Sequence, residues 1–261
     1  MAPVVHLVRH AQGYHNLNHE NEKIPDPDLT DLGLEQCRVL RDAFQDHDKI
    51  THLVASPLRR TLYTCLYSFE PVVKRGKVVL ALPDAQEMSI NPCDHGSDVA
   101  KIKAEFGDKV DFSLCWEGWN NKSPDTKYYP DPAKLDARAR EARRTLRDLA
   151  QKHGDDAQIV LVTHGGIVHF LTGDWEGIPK GGATGWQNTE CRSYEFKDPS
   201  GEDPDAKLQE TKSSWRRRRG SAVGLTDTEH RQMRQVVQDM VEEENRVDLE
   251  AREKAANGKA N

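Results

Sequence analysis

The chain reads as an α/β protein with a largely parallel sheet. Three observations carry this. Four short apolar segments, Val4–Val8, His52–Ala55, Val78–Leu82 and Ile159–Thr163, have the composition of buried strands. Amphipathic helical stripes alternate with them. Residues that carry chemistry gather where these strands end, the rim at which open α/β sheets bind ligands. At 261 residues the chain accommodates one large domain, or one domain with an appendage.

The first strand stops abruptly at Arg9-His10. Arg9 brings a planar fork of donors suited to phosphate or carboxylate. His10 is a nucleophile or base near neutral pH, and Asn16 adds a neutral donor and acceptor nearby. The segment His15–Pro27 is polar and reads as a solvent-facing loop over the site. The spacing of His15 and His19 would suit metal ligands on a helix, but Asn, Gly and Pro surround them and no HExxH context exists.

Thr30 is placed to cap a helix whose stripe Leu34, Cys37, Leu40 and Phe44 reads as core. After His52–Ala55, Ser56-Pro57 reads as a helix start with proline at the first helical position. Leu58, Leu62, Cys65, Leu66 and Phe69 line one face of that helix. Arg60 lies off this face in the first turn, where a cation opposes the helix dipole unless an anion is also there. Arg60 is therefore an anion-binding candidate, with Arg59 as the surface alternative.

Val78–Leu82 leads to Glu87, and Asn91–Ser97 is loop. A short helix is expected over Ser97–Phe106. Phe112–Pro130 is irregular and holds Trp116, Trp119, Tyr128 and Tyr129; it is either a wall over a pocket or a satellite core. Pro132–His153 is a long helix with Leu135, Ala139, Ala142, Leu146 and Leu149 on its apolar face and a solvated opposite face rich in Arg and Glu. Ile159–Thr163 ends at His164-Gly165-Gly166, which repeats the opening pattern of strand, histidine and turn. The two glycines would let backbone approach a ligand at a helix N-terminus. Ser193–Phe196 is read as the last strand.

Residues 1–198 thus form the folded domain. Residues 199–225, rich in Pro, Gly, Ser and charge, read as a linker. Arg216–Arg219 within it suit a solvated linker, or RNA, an acidic partner or a nuclear import receptor. Thr226 to Glu229 is a capping box that opens an amphipathic helix over 226–256, with Met233, Val236, Val237, Met240 and Val241 on its apolar stripe. This helix would dock on the chain itself, on a second copy or on a partner.

Composition narrows the classes. A formal net charge of −6 argues against broad nucleic-acid affinity. Five scattered cysteines without a CxxC pair argue against zinc ribbons and redox motifs and for free thiols in a reducing compartment. The N-terminus leads straight into a strand and no apolar run reaches the roughly 18 residues of a membrane span. A cytoplasmic or nuclear protein without membrane contact is expected.

Arg9, His10, Glu87 and His164 lie at the ends of three strands, and Arg60 follows another. Two arginines, two histidines and a carboxyl on one rim suit phosphoryl transfer. Cations neutralise the phosphate, an imidazole attacks, and a carboxyl protonates the leaving oxygen. No Walker loop or magnesium carboxylate cluster accompanies them.

On these residues the chain resembles the histidine phosphatase superfamily, in the branch containing phosphoglycerate mutase-like phosphatases. The Arg-His-Gly signature stands here as Arg9-His10-Ala11, followed by Gln12 and Asn16. The Leu-Thr-x-x-Gly-x-x-Gln segment is Leu29–Gln36, and Ser-Pro-x-x-Arg is Ser56–Arg60, which selects Arg60 over Arg59. The Leu-x-Glu segment is matched loosely by Leu82–Glu87, and the second histidine stands in Thr163-His164-Gly165-Gly166. The matches keep the family's order across residues 1 to about 198.

The resemblance implies a three-layer sandwich with helices flanking the central sheet. It implies His10 as nucleophile, forming a phosphohistidine, and Arg9, Arg60, His164 and Asn16 as phosphate-binding residues. Glu87 would be the general acid, with Asp84 and Asp94 as alternatives. It implies a phosphorylated small-molecule substrate, no cofactor and no metal. Two departures bear on activity. Ala11 replaces a glycine without removing a chemical group. Gln12-Gly13-Tyr14-His15 stands where bisphosphoglycerate-dependent mutases carry Glu-Ser-x-Trp, which favours a phosphatase over a phosphomutase. A non-catalytic scaffold acting through the tail helix is the competing reading of another class.

Overall fold

In a computed structural model, which describes residues 2–179 and 184–258, seven strands form one sheet in the order β4-β3-β2-β5-β1-β6-β7. They are β1 (Val4–Arg9), β2 (His52–Ala55), β3 (Val79–Ala81), β4 (Val110–Asp111), β5 (Gln158–Thr163), β6 (Cys191–Phe196) and β7 (Leu208–Glu210). The run from β4 to β1 is parallel, whereas β6 and β7 pair antiparallel at one edge. The helices are α1 (Asp31–Ala43), α2 (Arg59–Ser68), α3 (Glu70–Lys74), α4 (Val99–Phe106), α5 (Pro132–His153), α6 (Ile167–Thr172), α7 (Lys212–Arg219) and α8 (Asp227–Gly258).

The strands alternate between two buried faces, as a period of two requires. Val5, Leu7, Val54, Ile159 and Leu161 pack with α5 and α6. Val8, Leu53, Ala55, Val160 and Val162 pack with α2 and α4 on the other side. This is the expected three-layer sandwich.

β5 sits between β1 and β2, which are consecutive in sequence, so the sheet's central strands come from both ends of the domain. The register pairs Arg9 with Thr163, and Ala55 with Val162. Consequently His10, His164 and Ser56, the residues that follow these strands, emerge side by side.

Several elements depart from the sequence expectation. α2 starts at Arg59 rather than Pro57, with Leu58 as its cap. Ser56-Pro57 instead forms the turn into the helix, held by the Thr61 hydroxyl donating to the Ser56 and Leu58 carbonyls at 2.8 and 2.6 Å. Leu34 lies on the solvent side of α1, 44% exposed, because the start of that helix is held by the loop after β1 and not by the main core. Val78, also exposed, precedes β3. The far face of α5 is not fully solvated, since Arg138 is buried.

The linker expected over 199–225 is corrected. Leu208–Glu210 extends the sheet as β7 against Tyr194–Phe196, and Thr211 caps α7 through the Ser214 amide. Short elements with one buried residue carry no periodicity, so composition concealed them. On α7, Arg218 pairs with Glu210 and Arg219 with Glu176, while Arg216 and Arg217 are exposed. α8 begins at the expected capping box, Thr226 with Glu229. It docks on this chain through Val237, Val241 and Asn245, whose amide donates to the Pro130 carbonyl at 2.8 Å, while Val236 and Met240 face solvent. Among the described residues, no helix is long and apolar enough to cross a membrane.

Candidate active site

The cavity at the carboxyl ends of β1 and β5 has a volume of about 180 Å³. Arg9, His10, Asn16, Arg60 and Glu87 all line it, and the His164 ring stands 5.2 Å from that of His10, centroid to centroid. All six residues read from the sequence are therefore brought together.

The loop carrying His10 is clamped by the segment Leu29–Gln36. The Thr30 amide donates to the Gln12 carbonyl at 3.0 Å, and the Thr30 hydroxyl donates to Gln12 Oε1 at 2.8 Å. The Gln12 amide donates to Gln36 Oε1 at 2.8 Å. Gly33 is required by space, because a Cβ there would lie 2.1 Å from the Gln12 carbonyl oxygen. This contact accounts for a glycine inside the first turn of α1, at a position where helix propensity opposes it.

The two imidazoles have defined tautomers. His10 Nδ1 lies 2.7 Å from the Ala11 carbonyl, which only accepts, so Nδ1 carries the proton. The Nε2 lone pair is left without a protein partner among the described residues. His164 is reversed. Arg60, which only donates, reaches its Nδ1 at 3.0 Å, so the proton sits on Nε2, 2.8 Å from the Ser56 hydroxyl. Burial pushes both rings well below the ordinary histidine range, and the Arg60 charge pushes the same way. Both are neutral at physiological pH.

Arg60 is completely buried on the second residue of α2. It donates to the Cys93 carbonyl at 2.6 Å and to Asp94 Oδ1 at 2.7 Å. Burial disfavours the Asp94 charge, but Arg60 and Lys122 outweigh it and hold its carboxyl below the usual range. The pair resolves the clash between Arg60 and the helix dipole with an internal anion. Breaking such a buried pair costs about 3–5 kcal/mol. Arg9 donates to the Trp186 carbonyl, while its Nε, like that of Arg60, is buried and has no partner among the described residues. The neighbouring Arg59 is held outside the cavity by Asp28 and Glu105.

Glu87 sits at the start of α6. Its Oε1 accepts from the Met88 and Ile167 amides at 2.8 and 3.0 Å, and Oε2 accepts from Gly166 at 2.9 Å. Oε2 has the spare lone pair and is the oxygen able to carry a proton. Gly165 and Gly166 are required by close approach. A Cβ on Gly166 would lie 2.7 Å from Glu87 Oε1, and one on Gly165 would lie 2.6 Å from Thr184. Of the alternative acids, Asp84 pairs with Lys127 outside the cavity, and Asp94 is committed to Arg60. Asn16 lines the cavity while its Oδ1 accepts from the Gly13 amide at 3.1 Å.

Other residues at the site were not marked by sequence. His15 lines the cavity with its ring 5.3 Å from His10; burial, then Arg60, lowers its pKa to about 3. Its place inside a histidine-rich loop was visible, but its orientation was not. Glu22 and Asn91 close the rim, with Asn91 Nδ2 donating to Glu22 Oε2 at 2.9 Å. His19 is exposed, with its Nδ1 3.2 Å from Glu22 Oε1. The aromatic loop is not a wall of the cavity: Trp119 joins the core on the α2 side, Tyr128 and Tyr129 are buried, Trp116 is exposed, and none of the four lines the cavity.

The chain is similar to several known proteins. The family model of the histidine phosphatase superfamily (branch 1) matches residues 5–202. A phosphoglycerate mutase-like protein of Arabidopsis thaliana is 28% identical over 212 residues, 64% of this chain and 72% of that one. Phosphoglycerate mutase-like protein 1 from the same plant is 26% identical over 200 residues, 63% of this chain and 68% of that one. Among solved structures, ecdysone phosphate phosphatase from Bombix mori shares the fold with a TM-score of 0.53 at 13% identity, covering 87% of this chain and 98% of that one. A mycobacterial glucosyl-3-phosphoglycerate phosphatase does so with a TM-score of 0.50 at 18% identity, covering 80% and 97%. With a family model that matches residues 5–202, the chain belongs to the histidine phosphatase superfamily, branch 1.

Proposed function

We propose that the protein hydrolyses small, polar phosphomonoesters through a phosphohistidine at His10, without a metal ion. The observation that carries this reading is the His10 tautomer: Nδ1 is held by the Ala11 carbonyl, and Nε2 is left as a neutral, unpartnered nucleophile in a cavity lined by Arg9 and Arg60. The Nε2 lone pair attacks phosphorus and the ester P–O bond breaks. Glu87 delivers a proton from Oε2 to the leaving oxygen. Glu87 then takes a proton from water, whose oxygen attacks the phosphohistidine, breaking P–N and releasing phosphate. Arg9, Arg60 and Asn16 stabilise the charge on the phosphoryl oxygens, and the His164 Nε2–H joins them by exchanging its bond to Ser56 for one to the phosphoryl group. A cavity of about 180 Å³ favours a small leaving group, since pockets for drug-sized ligands run to about 300–1,000 Å³. The aromatic loop, being core, supplies no apolar wall for a larger ester.

The test is phosphate release from a panel of phosphomonoesters in the presence of EDTA, for wild type and His10→Ala. EDTA-resistant release that the variant lacks, with an acid-labile, base-stable phosphoenzyme in wild type, is expected. Absence of release by folded wild type from every ester would overturn hydrolysis. Phosphate exchange on adding a bisphosphorylated primer would then identify a mutase.

A further inference from the structure

We infer that Lys122 is a positioning residue for the acid step: it holds the backbone that aims Glu87. This rests on the reading of Glu87 as general acid. Lys122 comes from the irregular aromatic segment, 35 residues beyond Glu87, and is 2% exposed. Its Nζ donates to the carbonyls of Glu87 and Ser89, both at 2.7 Å. These two carbonyls flank Met88, whose amide holds Glu87 Oε1. The ammonium therefore pins the turn from behind while α6 holds the carboxylate from in front.

The burial of Lys122 asks for a reason. A fully buried cation costs several kcal/mol unless paired and hydrogen-bonded. Its hydrogen bonds go to backbone carbonyls, and its charge faces Asp94 and Glu87. Burial, partly offset by Asp94, brings its pKa down to about 7. The same lysine reaches the phosphate side of the site through Ser89. The Ser89 hydroxyl donates to Asp94 Oδ2 at 2.6 Å, and Asp94 Oδ1 accepts from Arg60.

The segment is itself anchored to deliver this contact. Trp119 is fully buried against Gly96, where a Cβ would fall 2.1 Å from its ring. Gln86 donates to the Trp119 carbonyl at 3.1 Å, and Lys134 on α5 donates to the carbonyls of Pro124 and Thr126 at 2.6 and 2.9 Å. The aromatic core, which touches no part of the cavity, thereby holds one cation under the acid loop. Its role is transmitted through Lys122.

The experiment compares kcat/KM on two esters within one preparation: an alkyl phosphate, whose basic leaving oxygen needs protonation, and p-nitrophenyl phosphate, whose leaving group does not. The ratio of the two is independent of the fraction of folded protein. Lys122→Met is expected to lower the alkyl-to-aryl ratio by about tenfold or more, within the range of general-acid effects. Lys122→Gln, which keeps an N–H donor, should restore part of it. Combining Lys122→Met with Glu87→Gln should lower the ratio no further than Glu87→Gln alone. An equal loss on both esters in Lys122→Met, or an unchanged ratio, overturns the inference when Glu87→Gln does lower the ratio. If Glu87→Gln leaves the ratio unchanged, the acid assignment itself falls, and this inference with it.

Discussion

The tips of β1 and β5 make the same local statement in sequence: a valine-rich strand, then a histidine, then a turn. They differ in chemistry. At the first tip, a carbonyl acceptor sets the His10 proton on Nδ1 and frees Nε2. At the second, Arg60 occupies Nδ1 and turns His164 into an Nε2–H donor fixed by Ser56. Burial and the Arg60 charge depress both rings alike. In the proposed mechanism one neutral histidine is thereby the nucleophile and its neighbour a hydrogen-bond donor. Hydrogen-bond partners, and not residue type or pKa, assign the roles.

The largest effect that would break this comparison comes from removing each ring. His10→Ala should lower kcat/KM by about 10⁴-fold or more and abolish phosphoenzyme formation, because the covalent path is lost. His164→Ala should lower it by about 10²–10³-fold, the scale of an oxyanion donor, and still trap phosphate on His10. Label recovered on His164, or equal losses in the two variants, would remove the asymmetry. A smaller effect tests how His164 is held. Ser56→Ala takes away the acceptor that orients Nε2–H and should cost about fivefold to tenfold in kcat/KM, as one hydrogen bond of about 1 kcal/mol implies. A matching loss in thermal stability with unchanged kcat/KM would make Ser56 purely structural.

An effect on stability and not on turnover concerns pH, where the two tips should behave alike. Each ring is neutral when folded and takes up a proton near pH 6.5 when unfolded. Between the depressed folded pKa and 6.5 the unfolded state binds more protons, so stability rises with pH and levels off above 6.5. Below that, each ring costs about 1.4 kcal/mol per pH unit. Melting temperature should fall from pH 6.5 to 5, and substituting either His10 or His164 should shallow that fall by a similar amount. A slope altered by only one of the two would show that their environments differ after all.

The rim of the site was legible because strands announce their ends. An apolar run that stops at Arg9-His10 or at His164 places those residues without knowledge of the rest. The cap at Thr30, the span of α5 and the start of α8 were legible for the same local reason. Segments without periodicity were not. Lys122 comes from a loop, as do Asp94 and His15, which the sequence offered in other roles, and β7 is three residues of a region read as linker. The apolar stripe assigned to α1 failed at Leu34, because amphipathic spacing identifies a face but not what lies beyond it.

Local chemistry in the chain therefore determined which groups are present: two histidines, two arginines and a carboxyl, each near an element boundary. Three-dimensional packing decided what each does. The register of β1 on β5 placed the imidazoles 5.2 Å apart, and the Arg60–Asp94 pair spent one anion internally. Gly33, Gly96 and Gly166 supplied clearances that only tertiary neighbours define. The physical reason is range. Periodicity and capping act over a few residues, whereas tautomers, buried charges and close approaches depend on groups far apart in the chain, such as the Asn188 amide and the His10 carbonyl it supports, 178 residues apart.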